Sequence, residues 1–189
     1  RPDPRPVPLA APAQGPTWLV LDKPAGLAVH PGPRTAHSLE ALLPALARHG
    51  HVPQPVHRLD RDTSGCLLLA RRPSAQRTLA RAFAAGAIEK QYLALVEGAF
   101  EGDEGRIDAP LAKRSSRSAG WRMVLDPKGR PAVTCWRRVA SADACTLVEF
   151  RPLTGRTHQI RVHAGLLGAA TALVGDPVYG RPHPAGMML

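Results

Sequence analysis

Apolar positions fall in short blocks separated by turn-forming residues, and the spacing within each block predicts its element. Trp18-Leu19-Val20-Leu21 is an apolar run stopped by Asp22-Lys23-Pro24-Ala25-Gly26, which predicts a strand and then a tight turn. From Ser38 to Arg48 the apolar positions Leu39, Leu42, Leu43 and Leu46 recur at helical spacing, with Gly50 just beyond. This predicts a short amphipathic helix capped by Ser38. Cys66 to Ala70 reads as a buried strand, and Ser74 to Ala85 as a second helix capped by Ser74 and ended by Gly86. Ile88 to Val96, Pro131 to Val139 and Thr146 to Arg151 are rich in β-branched and aromatic residues and predict strands. Thr157 to Leu167 returns to helical periodicity, with Ile160, Ala164 and Leu167 on one stripe. The polar stretch 101–130 reads as a surface excursion. Several strands, few helices and no strict βαβ alternation predict an α+β domain with a mixed, largely antiparallel sheet and flanking helices.

Composition refines that picture. At 189 residues the chain can build one full domain. The proline-rich residues 1–16 read as an arm or linker remnant and 17–189 as the folded domain. The first residue is Arg1 rather than Met, which reads as a trimmed start. No apolar run reaches the length of a membrane span, and no basic start precedes an apolar segment as in a secretion signal. A membrane partner is therefore not expected. Three cysteines, Cys66, Cys135 and Cys145, lack CxxC spacing and read as buried free thiols rather than a disulfide or zinc framework. A cytoplasmic location follows from that reading.

The net charge of +10 and the pI of about 10.7 point to a nucleic-acid partner. Only Lys23, Lys90, Lys113 and Lys128 among the 25 basic residues are lysines. A GC-rich genome accounts for most of that arginine bias, so the charge itself is the informative quantity.

Three polar segments could carry chemistry. His57-Arg58-Leu59-Asp60-Arg61-Asp62-Thr63-Ser64-Gly65 sits where a loop enters an apolar strand, and it places two carboxylates among three basic side chains. An ionised Asp in that company suits a nucleophile or base, and a salt-bridged loop fits the local pattern equally well. In Thr154-Gly155-Arg156-Thr157-His158-Gln159-Ile160-Arg161-Val162-His163, a helix starting near Thr157 would put His158 and Arg161 on one face. It would also leave Arg161 free to reach a carboxylate. A solvated basic helix end is the competing reading. His158 and His163 are not at the i, i+4 spacing of paired metal ligands, so no metal site is expected. Tyr92, inside Glu89-Lys90-Gln91-Tyr92-Leu93-Ala94-Leu95-Val96-Glu97-Gly98, reads locally as a core tyrosine. A hydrolase built on His57, Asp60 and His158 would lack a nucleophile elbow, and a phosphate-binding loop is also missing.

Taken together, these segments and two others resemble the RluA-type family of pseudouridine synthases from about Trp18 to Gly180. Leu21 to Gly26 with His30-Pro31-Gly32 is similar to the family's opening motif, and His57-Arg58-Leu59-Asp60 with Thr63-Ser64-Gly65 to its catalytic motif. Lys90 to Gly98 matches the segment of the active-site tyrosine. Gly155 to His163 and Gly175-Asp176-Pro177-Val178-Tyr179-Gly180 match the late motifs.

The resemblance implies a pseudouridine synthase fold with a central basic active-site cleft, acting on ribosomal or transfer RNA as a monomer. The implied reaction breaks the N-glycosidic bond of a uridine, turns the base and rejoins it through carbon 5. It needs no cofactor and no metal. Asp60 would be the nucleophile, Arg161 would pair with its carboxylate, and Tyr92 would stack on or deprotonate the base. Arg58, Arg61, Arg156 and His158 would contact RNA. A non-catalytic RNA-binding protein on the same scaffold would not need the carboxylate in a basic groove. Two departures from the family pattern stand out. Residues 168–174 lack the usual His-Pro pair, and the chain stops at Leu189, where the family is expected to continue into a final sheet segment.

Overall fold

The computed structural model describes residues 9–32, 37–116, 120–142 and 144–189. They form two compact units, 1–87 and 88–189, each with its own sheet.

The first unit contains β1 (Ala13–Gln14), β2 (Trp18–Lys23), α1 (Leu39–Leu42), β3 (Gln54–Pro55), β4 (Gly65–Ala70) and α2 (Pro73–Ala84). Its antiparallel sheet has the order β1-β2-β4-β3, and β2 pairs with β4 from Trp18↔Ala70 to Lys23↔Gly65. Strand residues alternate between faces, so Leu19 and Leu21 of β2 are buried, as are Leu67 and Leu69 of β4. Each is worth about 1.5–3 kcal/mol in burial. The same alternation turns Cys66 outward: it is exposed, and Cys135 and Cys145 are partly so. The thiols are free, but the expectation that they are buried is not met. The helix expected from Ser38 to Arg48 lasts four residues. Pro44 has no amide to continue the ladder, and the chain tightens into a 3-10 turn over Leu43–Leu46. Ser38 stands at the cap position without a side-chain capping bond. Nor is Ser74 the cap of α2, because Pro73 occupies the first turn and Arg72 precedes it in an extended conformation.

The second unit runs β5 (Tyr92–Glu97), β6 (Glu104–Asp108), β7 (Leu111–Ser116), β8 (Gly120–Leu125), β9 (Val133–Ala142), β10 (Cys145–Pro152), α3 (Gln159–Ala164) and β11 (Ala172–Leu173). The five-stranded sheet has the order β11-β5-β10-β9-β6, and β7 and β8 form a separate hairpin. The ladders among the described residues are antiparallel, as the α+β reading expects. Ala94 and Val96 of β5 and Val148 and Phe150 of β10 meet Ile160 and Ala164 of α3, with Leu173 and Met187 completing the core. The stretch 101–130 is thus more than an excursion, since it supplies the edge strand β6 and the β7–β8 hairpin. Its alternating half-buried and exposed residues hid the edge strand, because neither face of β6 is strongly apolar.

Candidate active site

In the first unit the loop between β3 and β4 carries Arg58, Asp60 and Arg61. Its backbone is tied down from three sides. Leu59 is buried, the Thr63 amide donates to the Asp60 carbonyl at 3.2 Å, and the Gly26 amide donates to the Arg61 carbonyl at 2.8 Å. Gly26 adopts a φ of 84°, a left-handed conformation that disfavours other residues, and its amide faces the loop from there.

From that same turn the fully buried Lys23 sends its ammonium to three carbonyls: Pro24 at 2.9 Å, Leu27 at 2.9 Å and Arg61 at 3.1 Å. Three donors meet three acceptors. Burial pulls the Lys23 pKa down to about 8, while the carboxylates of Asp62 and Asp60 act in the opposite direction.

His57 serves the loop structurally. Its Nε2 accepts from the Leu68 amide at 2.9 Å, which places the ring proton on Nδ1, and its ring stacks on Phe83 of α2 at 4.6 Å. Within this frame the Asp60 side chain is half-buried, while Arg58 and Arg61 are exposed. The neighbouring Asp62 pairs with Arg61 at 3.0 Å. The loop backbone is thus held by several bonds while Arg58 and Arg61 remain exposed.

The second unit carries Tyr92, Arg156, His158 and Arg161. Tyr92 is the first residue of β5, opposite Phe150, and packs against the core. Arg161 on α3 is only 3% exposed. Its Nε and Nη2 donate to Oδ2 and Oδ1 of Asp176, each at 2.7 Å. Burial alone would raise the Asp176 carboxyl, but the guanidinium and the Val178 and Tyr179 amides hold it below its usual range.

His158 does not share a helical face with Arg161. It precedes α3 with a φ of 53°, a left-handed conformation costing roughly 1–3 kcal/mol outside glycine, and the helix starts at Gln159. That turn points the imidazole at Tyr179, whose hydroxyl lies 2.9 Å from Nδ1, and stacks it on Trp121 at 5.0 Å.

The segment before α3 is held by Gln159, a residue the sequence pattern did not single out. Its Oε1 accepts from the Thr154 hydroxyl and the Arg156 amide, and its Nε2 donates to the Val133 carbonyl and the Thr134 hydroxyl. Arg156 donates from Nε to the Pro131 carbonyl at 2.9 Å. Buried His163 lies below. Its Nε2 donates to the Ala109 carbonyl at 3.0 Å, and its Nδ1 accepts from the Thr134 hydroxyl at 2.8 Å. Burial lowers its pKa.

The half-buried Asp60 lies in the first unit, and Tyr92 and the desolvated pair of Arg161 with Asp176 lie in the second, whereas the resemblance implied a pairing of Arg161 with Asp60. Comparison with known proteins gives the family. Residues 17–165 match the model of the RNA pseudouridylate synthase family. An uncharacterized RNA pseudouridine synthase of Zymomonas mobilis is 52% identical over 163 residues, covering 86% of this chain and 74% of that protein. Ribosomal large subunit pseudouridine synthase D of Nitrosomonas europaea is 44% identical over 170 residues, covering 88% of this chain but only 48% of its relative. The chain therefore spans about half the length of that relative. Among solved structures, human RNA pseudouridylate synthase domain containing 1 superposes with a TM-score of 0.78 at 27% identity, over 96% of this chain and 75% of the human one. The chain belongs to the RNA pseudouridylate synthase family, whose members are RNA-modifying isomerases. Among the described residues no helix is long and apolar enough to cross a membrane.

Proposed function

We propose that this chain converts uridine to pseudouridine in structured ribosomal or transfer RNA, with Asp60 as nucleophile and Tyr92 and Arg161 as further catalytic residues. The observation that carries the reading is the family match across 17–165, which contains all three. The Asp60 loop supports it physically, because Lys23, His57 and Leu59 hold its backbone while the carboxylate remains half-exposed.

In the reaction the Asp60 carboxylate attacks C1′ of the target nucleotide as the bond from N1 to C1′ breaks. Uracil turns, C5 joins C1′ and displaces the carboxylate, C5 loses its proton and N1 gains one. Atoms and electrons balance within the substrate, so neither oxidant nor group donor is consumed. A base stacked in a helix must first be flipped out, at a cost of a few kcal/mol. Exposed Arg58 and Arg61, with Arg156 and His158 of the second unit, are suited to contact the RNA around it.

Incubation of the full chain with unmodified transcripts of large-subunit ribosomal RNA and transfer RNA, followed by pseudouridine mapping, tests the reading. New pseudouridine at defined positions is expected. RNA left unmodified in both pools would overturn it.

A further inference from the structure

The β7–β8 hairpin belongs to neither main sheet, and a two-stranded ribbon alone is marginal in water. Its base is held by backbone bonds between Leu111 and Arg130, and β8 is fastened further by a chain of side chains. Trp121 of β8 stacks on His158 with the rings 27° apart, and the Met123 amide of the same strand donates to the Tyr179 hydroxyl at 2.8 Å. That hydroxyl meets His158, and the Tyr179 ring lies under the Arg161 guanidinium at 5.2 Å. Arg161 in turn grips Asp176. A surface ribbon is thus joined by three rings to the buried ion pair of the unit.

The hairpin's charge is arranged against its own stability. Arg114 and Arg122 are direct cross-strand partners, and like charges so placed repel. Asp126 compensates Arg114 at 2.7 Å, whereas Arg122 is exposed and has no ion-pair partner among the described residues. On the other face of the ribbon, Lys113 sits over the indole of Trp121 at 4.9 Å, and Trp121 keeps 46% of its surface exposed. The ribbon thus carries the exposed cations Arg122 and Lys113, the second held over the half-exposed indole, and both charges are open to a polyanion.

We propose that this hairpin is an RNA-docking arm: Arg122 and Lys113 contact the RNA backbone, and Trp121 is a positioning residue that fixes the arm to His158 and Tyr179. The inference rests on the RNA-modifying reading above and names a contact surface that reading does not contain. RNA is the occupant favoured by the charge.

The test uses the full chain and an unmodified transcript of large-subunit ribosomal RNA, with binding measured across a salt series. Arg122→Gln alters an exposed side chain. It should weaken binding several-fold at low salt and lower the slope of log affinity against log salt by about 1. Arg106→Gln removes the same charge from β6 and should leave that slope unchanged. Trp121→Ala should bind up to about tenfold more weakly, and Trp121→Phe, which keeps an aromatic stack on His158, within about twofold of the unaltered chain. Unaltered binding and slope in Arg122→Gln would overturn the proposal. So would equal losses in Arg122→Gln and Arg106→Gln, since net charge would then account for the effect. If the unaltered chain modifies RNA while these variants match it, only the docking arm falls. If the unaltered chain neither binds nor modifies RNA, the functional reading falls and takes the arm with it.

Discussion

The guanidinium of Arg161 meets the carboxylate of Asp176 edge to edge, through two hydrogen bonds of 2.7 Å, and both side chains are almost wholly removed from water. Such a fork fixes the orientation of a cation far better than a single contact does. It also makes each partner depend on the other. Asp176→Asn should lower the free energy of unfolding by about 3–5 kcal/mol, because it leaves Arg161 buried without its counter-charge. Urea denaturation at neutral pH measures this. The native pKa of Asp176 lies below its usual 3.8. Its contribution is therefore present above that pH and is lost as pH falls through the native value. The variant should lack this acid-side slope.

Asp60 and Asp62 stand two residues apart and differ in their surroundings. Asp60→Asn should still bind RNA but form no pseudouridine above background. Asp62→Asn removes a pair with Arg61 worth at most about 1 kcal/mol and one carboxylate that supports the Lys23 charge, and should keep turnover within about fivefold of the unaltered chain. Pseudouridine mapping with both variants decides between the two carboxylates, and full activity in Asp60→Asn would remove it as nucleophile.

Lys23 titrates where few lysines do. With a folded pKa of about 8 against 10.5 in the unfolded chain, the unfolded state binds more protons between those values. Stability should therefore rise with pH across that window. In Lys23→Met this gain should vanish, and at pH 7 three carbonyls lose their donor, at a cost of about 1–3 kcal/mol. Denaturation curves at several pH values, read for both proteins, check the sign.

His163 acts with the same sign at lower pH. Its folded pKa lies below 6.5, so the neutral ring stabilises above that pH and the benefit is lost as the solution becomes more acidic. A fall in stability starting just below pH 6.5, before the carboxylates titrate, is expected for the unaltered chain. It should be absent in His163→Gln.

How far the sequence disclosed this arrangement depends on the range of the forces involved. The Asp60 loop, the strands β2, β4, β5 and β10, and the core stripe of Ile160 and Ala164 are local patterns of polarity and turn chemistry, and they were legible. The pairing of β7 with β8, the burial of Lys23 and the bonds of Gln159 depend on groups that meet only after folding. A lysine in a Pro-Gly turn reads as solvated until its carbonyl partners close around it. The start of α3 was misplaced for a similar reason. His158 takes a strained backbone that propensity disfavours, and its contacts with Tyr179 and Trp121 help to hold it there.

The opposed pair Arg114 and Arg122 sets a limit on how this protein can be improved. Replacing Arg122 by threonine would relieve the repulsion, supply a residue that favours strands and make the ribbon more heat-resistant. The same change would loosen its grip on a polyanion. Selection for robustness and selection for substrate capture therefore pull this one position in opposite directions, and a screen that rewards thermal tolerance alone would discard the arginine.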